Sequence, residues 1–176
     1  MMVLVTGGSG SGKSAYAENR VMQFGDGSRI YIATMFPFDE ESHRRIARHR
    51  KMREGKGFTT KECYTGLKNL ELEPDSVVLL ECMSNLTANE MFQSDGAGER
   101  TVEAILKGIL TIREKARHLV VVTNEIFSAS ASYDKEMETY LDYLGCINQE
   151  MAEMADEVTE VVYGIPVFHK GGKKDE

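Results

Sequence analysis

The sequence predicts an α/β fold, a mostly parallel sheet flanked by helices, on three observations. Five short runs rich in β-branched residues punctuate the chain. They are continuous rather than alternating, as strands buried on both faces of a parallel sheet must be. Between them lie longer segments with apolar residues at helical spacing, so strand and helix alternate from end to end. A length of 176 residues suits one compact domain.

Taken in order, the first strand covers residues 2–6 and the first helix residues 13–24. A Gly25-Asp26-Gly27 turn leads to a strand over 29–34 and a helix over 40–53. A third apolar run spans 76–81, and Ser-Asp-Gly-Ala-Gly at 94–98 reads as a flexible loop. A helix over 99–117 precedes the strand at 119–124, and a helix over 134–154 precedes the strand at 157–163. Residues 1–169 form the expected single domain. Residues 170–176 have nothing apolar to bury and read as a frayed tail.

Composition excludes several classes. A formal net charge of −7 speaks against general nucleic-acid binding, which needs a basic surface. Cys63, Cys82 and Cys146 are scattered, with no Cys-x-x-Cys pair, and read as reduced thiols rather than a disulfide frame or zinc site. No signal peptide or apolar stretch of membrane-spanning length is present, so a cytoplasmic protein without a membrane span is expected. The methionines between 137 and 154 sit at helical spacing and read as core filler. His43, His118 and His169 read as structural or solvated.

Gly7-Gly8-Ser9-Gly10-Ser11-Gly12-Lys13-Ser14 matches G-x-x-x-x-G-K-[ST] between an apolar strand and a helix, the context that a P-loop requires. Successive backbone N–H groups would surround phosphate oxygens there, at the positive end of the helix dipole. Lys13 would bridge the β- and γ-phosphates, and the Ser14 hydroxyl would ligate Mg²⁺. A P-loop also needs a carboxylate at a neighbouring strand end; Glu81, after Val77-Val78-Leu79-Leu80, is the better candidate and Glu125 the second. A charged strand end is often only a solvated terminus, but beside a P-loop the functional reading of Glu81 is preferred.

Residues 42–53 form the one concentrated basic stretch, with Arg45, His49 and Arg53 on one helical face at four-residue spacing. Such a run alone is usually a solvated surface. Beside a P-loop it suits a polyanion, and the surrounding cations disfavour the imidazolium, keeping His49 neutral and nucleophilic toward phosphorus. Residues alone leave three readings open: a kinase with nucleotidyl transfer, a plain P-loop small-molecule kinase, and a non-catalytic nucleotide-binding regulator.

The combination resembles the bifunctional adenosylcobinamide kinase/adenosylcobinamide-phosphate guanylyltransferase family. The matching pieces begin with Leu4-Val5-Thr6-Gly7-Gly8 and the rest of the P-loop, then Tyr31-Ile32-Ala33-Thr34. Arg45-Ile46-Ala47-Arg48-His49-Arg50 with Arg53, and Thr60 with Glu62, come next. Leu79-Leu80-Glu81-Cys82, Ser84-Asn85-Leu86 and Val122-Thr123-Asn124-Glu125 follow. The last are Gly145, Asn148-Gln149, Ala155-Asp156-Glu157-Val158, Gly164 and Pro166.

The resemblance implies a RecA-like P-loop fold and two reactions. One is phosphorylation of adenosylcobinamide by ATP or GTP; the other is transfer of GMP from GTP through a histidine, here His49, giving adenosylcobinamide-GDP. Implied nucleotide contacts are Gly7 to Ser14, Ala33, Thr34, Met35, Arg50, Lys51, Met52, Arg53, Glu62 and Glu81. Small-molecule substrates, Mg²⁺ and a homo-oligomer, typically a trimer, are implied too. The chain departs from the family pattern at residues 126–132, where a Gly-rich, Pro-containing loop is usual, and at Glu138, where an arginine is. It departs again after Arg53, where Glu54-Gly55-Lys56-Gly57-Phe58 replaces the usual Arg-Pro-x-x-Trp segment.

Overall fold

The structure, a computed structural model, describes residues 1–126 and 134–172. Of the divergent stretch 126–132, residues 127–132 therefore lie outside the described residues. The elements are β1 (Met2–Thr6), α1 (Lys13–Gln23), β2 (Arg29–Ala33), α2 (Glu40–Arg53), β3 (Phe58–Glu62) and β4 (Val77–Glu81). Then come α3 (Met83–Phe92), α4 (Thr101–Lys115), β5 (His118–Val122), α5 (Lys135–Met154), β6 (Glu157–Val162) and β7 (Ile165–Lys170). One sheet runs β3-β2-β4-β5-β1-β6-β7, parallel throughout except for the β6–β7 hairpin.

Strand alternation explains why the runs are continuous. Met2 and Leu4 of β1, Ile30 and Ile32 of β2, and Val78 and Leu80 of β4 pack in one cluster with residues of α3, α4 and α5. Val3, Val5, Tyr31, Val77 and Leu79 face the other way, onto Ala17 and Val21 of α1. With both faces covered, each position is apolar, and burying each large aliphatic side chain contributes roughly 1.5–3 kcal/mol.

Three elements differ from the sequence reading. β3 is an edge strand of largely exposed polar residues, Phe-Thr-Thr-Lys-Glu, held by parallel pairing to β2. α3 buries Ser84, Thr87 and Glu90, so its inner face carries polar residues and shows no apolar stripe. β7 contains Pro166, which an edge position tolerates. Lys170 accordingly closes β7 rather than opening a tail, and its Nζ donates to the carbonyls of Ala152 and Glu153, which end α5. The loop at 94–98 is pinned: Glu90 Oε2 accepts from the Ala97 N–H, and Thr65 Oγ1 donates to Asp95.

Close packing also fixes one helical glycine. A Cβ at Gly108 of α4 would lie 2.8 Å from Leu67 Cβ and 3.0 Å from its Cγ. Gly108→Ala gains about 1 kcal/mol of helix propensity against an overpacking cost of about 1–3 kcal/mol. A net loss of about 1 kcal/mol is expected, lowering Tm by roughly 2–4 °C in a thermal melt.

Candidate active site

Parallel α/β sheets gather ligand sites at the carboxyl ends of their strands, where the loops change direction. β1 ends there at Thr6, and residues 7–12 turn into α1. Gly12 precedes the helix at φ 92°, a left-handed conformation that costs other residues roughly 1–2 kcal/mol. No side chain caps α1, so its first N–H groups remain directed at the loop, where an anion would satisfy them. Lys13 is buried and donates from Nζ to the Gly8 carbonyl at 3.0 Å, lying back across the loop. Burial holds its pKa below the ordinary lysine value.

Glu81 ends β4, 8% exposed, so it is not a solvated terminus. Ser14 Oγ donates to its Oε1, and the Tyr31 hydroxyl donates to its Oε2 at 3.2 Å. His49 Nδ1 lies 3.7 Å from Oε1, in ion-pair range but beyond a hydrogen bond. Three elements thus converge on one carboxylate: the P-loop helix, β2 and α2. Thr34 secures the strand end behind it. Its hydroxyl donates to the Cys82 carbonyl and accepts from the Cys82 N–H, both at 2.8 Å, across a cis Glu81–Cys82 peptide.

α2 is built for its basic load. Asp39 caps it, accepting from the Ser42 N–H at 2.7 Å; Glu40 and Glu41 occupy the first turn, and Arg50, Lys51 and Arg53 the last. Each sign sits at the dipole end that favours it. Arg53, 7% exposed, lies 3.4 Å over the Tyr31 ring and donates to Thr60 Oγ1 at 3.3 Å. A desolvated cation–π contact contributes up to about 2 kcal/mol. Its Nη1 is enclosed without a partner, so spare guanidinium donors remain for an anion. Arg50 pairs with Glu62 at 3.6 Å.

The neutrality of His49 has a different main cause from the one its neighbours suggest. Burial is the largest influence lowering its pKa; Glu81 opposes it, and Arg48, Arg53 and Arg45 add to it in smaller measure. The cations act in the expected direction, as helpers.

A cavity of about 460 Å³ joins these groups, within the range of small-molecule sites. Ser9, Gly10, Ser11, Gly12, Lys13, Ser14, Ala33, Met35, His49, Arg50, Met52, Arg53, Glu62 and Glu81 all line it. Gly7 and Gly8 are outside this lining. Thr34 and Lys51 do not line it: the Thr34 side chain is spent on Cys82, and Lys51 is exposed on another face of α2. Tyr31, Thr60, Tyr64, Asn85 and Asn124 also line the wall, and motif spacing did not single them out as contacts. Glu125, the alternative carboxylate, is outside this lining, its N–H donating to the Gly7 carbonyl. Of the remaining histidines, His43 also lines the cavity, whereas His118 stacks on Phe24 at 4.0 Å and His169 Nε2 meets Glu160 at 2.9 Å.

A family model described as cobinamide kinase / cobinamide phosphate guanyltransferase matches residues 3–168. The chain belongs to this family. It is 34% identical to the bifunctional adenosylcobalamin biosynthesis protein CobU of Salmonella typhimurium, covering 95% of this chain and 98% of that one. Identity and coverage are the same for CobU of Escherichia coli. The bifunctional adenosylcobalamin biosynthesis protein CobP of Pseudomonas aeruginosa is 32% identical, with coverage of 97% and 98%.

Solved structures share the fold at low identity. A KaiC-like protein from Pyrococcus horikoshii superposes with a TM-score of 0.50 at 13% identity, covering 90% of this chain and 71% of that one. An ATPase from a type III secretion system gives 0.52 at 8% identity, over 90% and 50%. The expected α/β architecture, a mostly parallel sheet flanked by helices, is therefore the architecture here. Among the described residues, no helix is long and apolar enough to cross a membrane.

Proposed function

We propose that the chain carries out both reactions in its family's description. It phosphorylates the aminopropanol hydroxyl of adenosylcobinamide with ATP or GTP. It then transfers GMP from GTP to that phosphate through His49, releasing pyrophosphate and giving adenosylcobinamide-GDP. One observation carries this reading: a P-loop and a largely enclosed imidazole line one cavity, with His49 Nδ1 3.7 Å from Glu81 Oε1, the same oxygen that accepts from Ser14 of the P-loop. A P-loop by itself supports movement of the γ-phosphoryl group. A neutral imidazole beside it adds a nucleophile for the α-phosphorus. The arginines of α2, with Lys13, suit the charge that develops on either phosphate.

Ser14 and Glu81 offer adjacent hard oxygens, a donor set that fits Mg²⁺. Bound there, the ion would offset negative charge on the phosphates. The reading also takes the protein to be cytoplasmic, with small-molecule substrates and no nucleic-acid partner, in keeping with its charge of −7. A homo-oligomer, a trimer by family habit, is supported by the edge hairpin, where Tyr163, Ile165, Val167 and Phe168 are exposed.

GTP labelled at the α-phosphate tests the covalent route. Label that survives denaturation in base and is released in acid is expected on the protein, whereas γ-labelled GTP should leave none. Addition of adenosylcobinamide phosphate should discharge it into product. A protein that takes up no α-label would sink the guanylyl-transfer half of the proposal.

A further inference from the structure

Glu81 has more neighbours than a metal site needs. Its Oε1 accepts from Ser14 Oγ and faces His49 Nδ1, while its Oε2 is held by Tyr31. Tyr31 is itself clamped under Arg53. The carboxylate is therefore fixed from the far side by a buried phenol, and Oε1, which also accepts from Ser14, faces one particular nitrogen of the imidazole. That nitrogen, Nδ1, is enclosed and has no hydrogen-bond partner, although a carboxylate oxygen stands 3.7 Å away. An enclosed ring nitrogen facing a carboxylate is satisfied only as an N–H donor. A small advance of the ring, well under 1 Å, would bring the pair from 3.7 Å into hydrogen-bond range.

Building on the transfer reaction proposed above, we infer that Glu81 is a positioning residue that holds His49 as its Nδ1–H tautomer, making Nε2 the atom that attacks the α-phosphorus. The second nitrogen of a histidine commonly sets which one reacts, by the hydrogen bond it makes. The lone pair of Nε2 forms the N–P bond as the bond from the α-phosphorus to the bridging oxygen breaks. Pyrophosphate leaves with that electron pair. The proton on Nδ1 stays where it is, so the ring becomes cationic, and the Glu81 carboxylate beside it balances the charge. In the second half, an oxygen of the acceptor phosphate attacks the same phosphorus and the N–P pair returns to Nε2. One carboxylate would then serve Ser14 on one side and His49 on the other, coupling the P-loop to the nucleophile.

Nitrogen NMR of protein labelled in its histidine rings tests this directly. His49 is assigned by the signal lost in His49→Gln, and spectra are taken at a pH where the ring is neutral. The resting protein is expected to show a protonated Nδ1 and a bare Nε2, the tautomer that free imidazole side chains disfavour in water. Glu81→Gln keeps an acceptor oxygen and should preserve that pattern, whereas Glu81→Ala should revert it to Nε2–H. After reaction with GTP, phosphorus coupling should appear on Nε2. A resting Nε2–H tautomer, or a phosphorus bonded to Nδ1, overturns the assignment. A protein that shows the Nδ1–H form yet takes up no GMP upholds the Glu81 contact and counts against the transfer reaction instead.

Discussion

His49→Gln is expected to separate the two activities, reducing guanylyl transfer by at least about 10⁴-fold, the scale of losing a covalent nucleophile. Phosphoryl transfer should stay within about tenfold of wild type, because the γ-phosphoryl group reaches the acceptor directly and its stabilisation rests on the P-loop. The side chain is 16% exposed and lines the cavity rather than the apolar core, and glutamine fills a similar volume. Folding should therefore survive, and a thermal melt beside the two assays checks it. Equal losses in both reactions would mean that His49 serves binding alone, whereas a plain P-loop kinase would show no guanylyl transfer in the wild-type protein either.

Lys13→Ala should instead reduce both reactions together, by roughly 10²–10³-fold for each, the range for losing one preorganised electrostatic contact. Among the described residues Lys13 Nζ donates to the Gly8 carbonyl alone, and burial already disfavours its charge. Removing it costs the fold little and the phosphates much. The expected pattern is higher KM for nucleotide, lower kcat for phosphoryl transfer, and slower labelling from α-labelled GTP. Labelling that persists at the wild-type rate would mean that the α-phosphate is bound away from the loop.

How much of this was legible in sequence depended on whether neighbours in space were neighbours in the chain. The P-loop was plain because its residues are contiguous and its flanks are a strand and a helix. The buried strands were plain because both faces are covered, as Val77-Val78-Leu79-Leu80 illustrates. β3 stayed hidden because an edge strand covered on one side needs no apolar run, and Thr59, Thr60 and Glu62 are exposed. α3 stayed hidden because its buried polar side chains are satisfied by hydrogen bonds: Ser84 Oγ accepts from Asn124 Nδ2, Thr87 Oγ1 donates to the Met83 carbonyl, and Glu90 Oε1 accepts from the Gly66 N–H. β7 was masked by Pro166.

The site divides in the same way. His49 was marked by its arginine-rich helix and by family resemblance, and Glu81 by its strand end. That Tyr31 would join them is a fact of tertiary structure: β2 and β4 pair in register, Tyr31 opposite Leu79, which brings the phenol to the end of the neighbouring strand. Spacing along the chain carries no trace of that pairing. Thr34 lay in a matched segment and was read as a contact, yet its hydroxyl belongs to the Cys82 backbone. A matched segment shows which stretch is shared with a family, and only geometry tells which of its side chains face the ligand.

The cationic residues of α2 also set how a ligand arrives. The whole chain carries −7, while this one helix concentrates Arg44, Arg45, Arg48, Arg50, Lys51 and Arg53. A net charge of −7 repels a triphosphate at long range, whereas the cations of this helix attract it once it is close to the cavity. Added salt weakens both, but it erases first the part that acts beyond a Debye length, about 8 Å at physiological ionic strength. Nucleotide capture here is thus governed by a short-range funnel set within a long-range barrier, the reverse of proteins that steer anions from a distance with an overall positive charge.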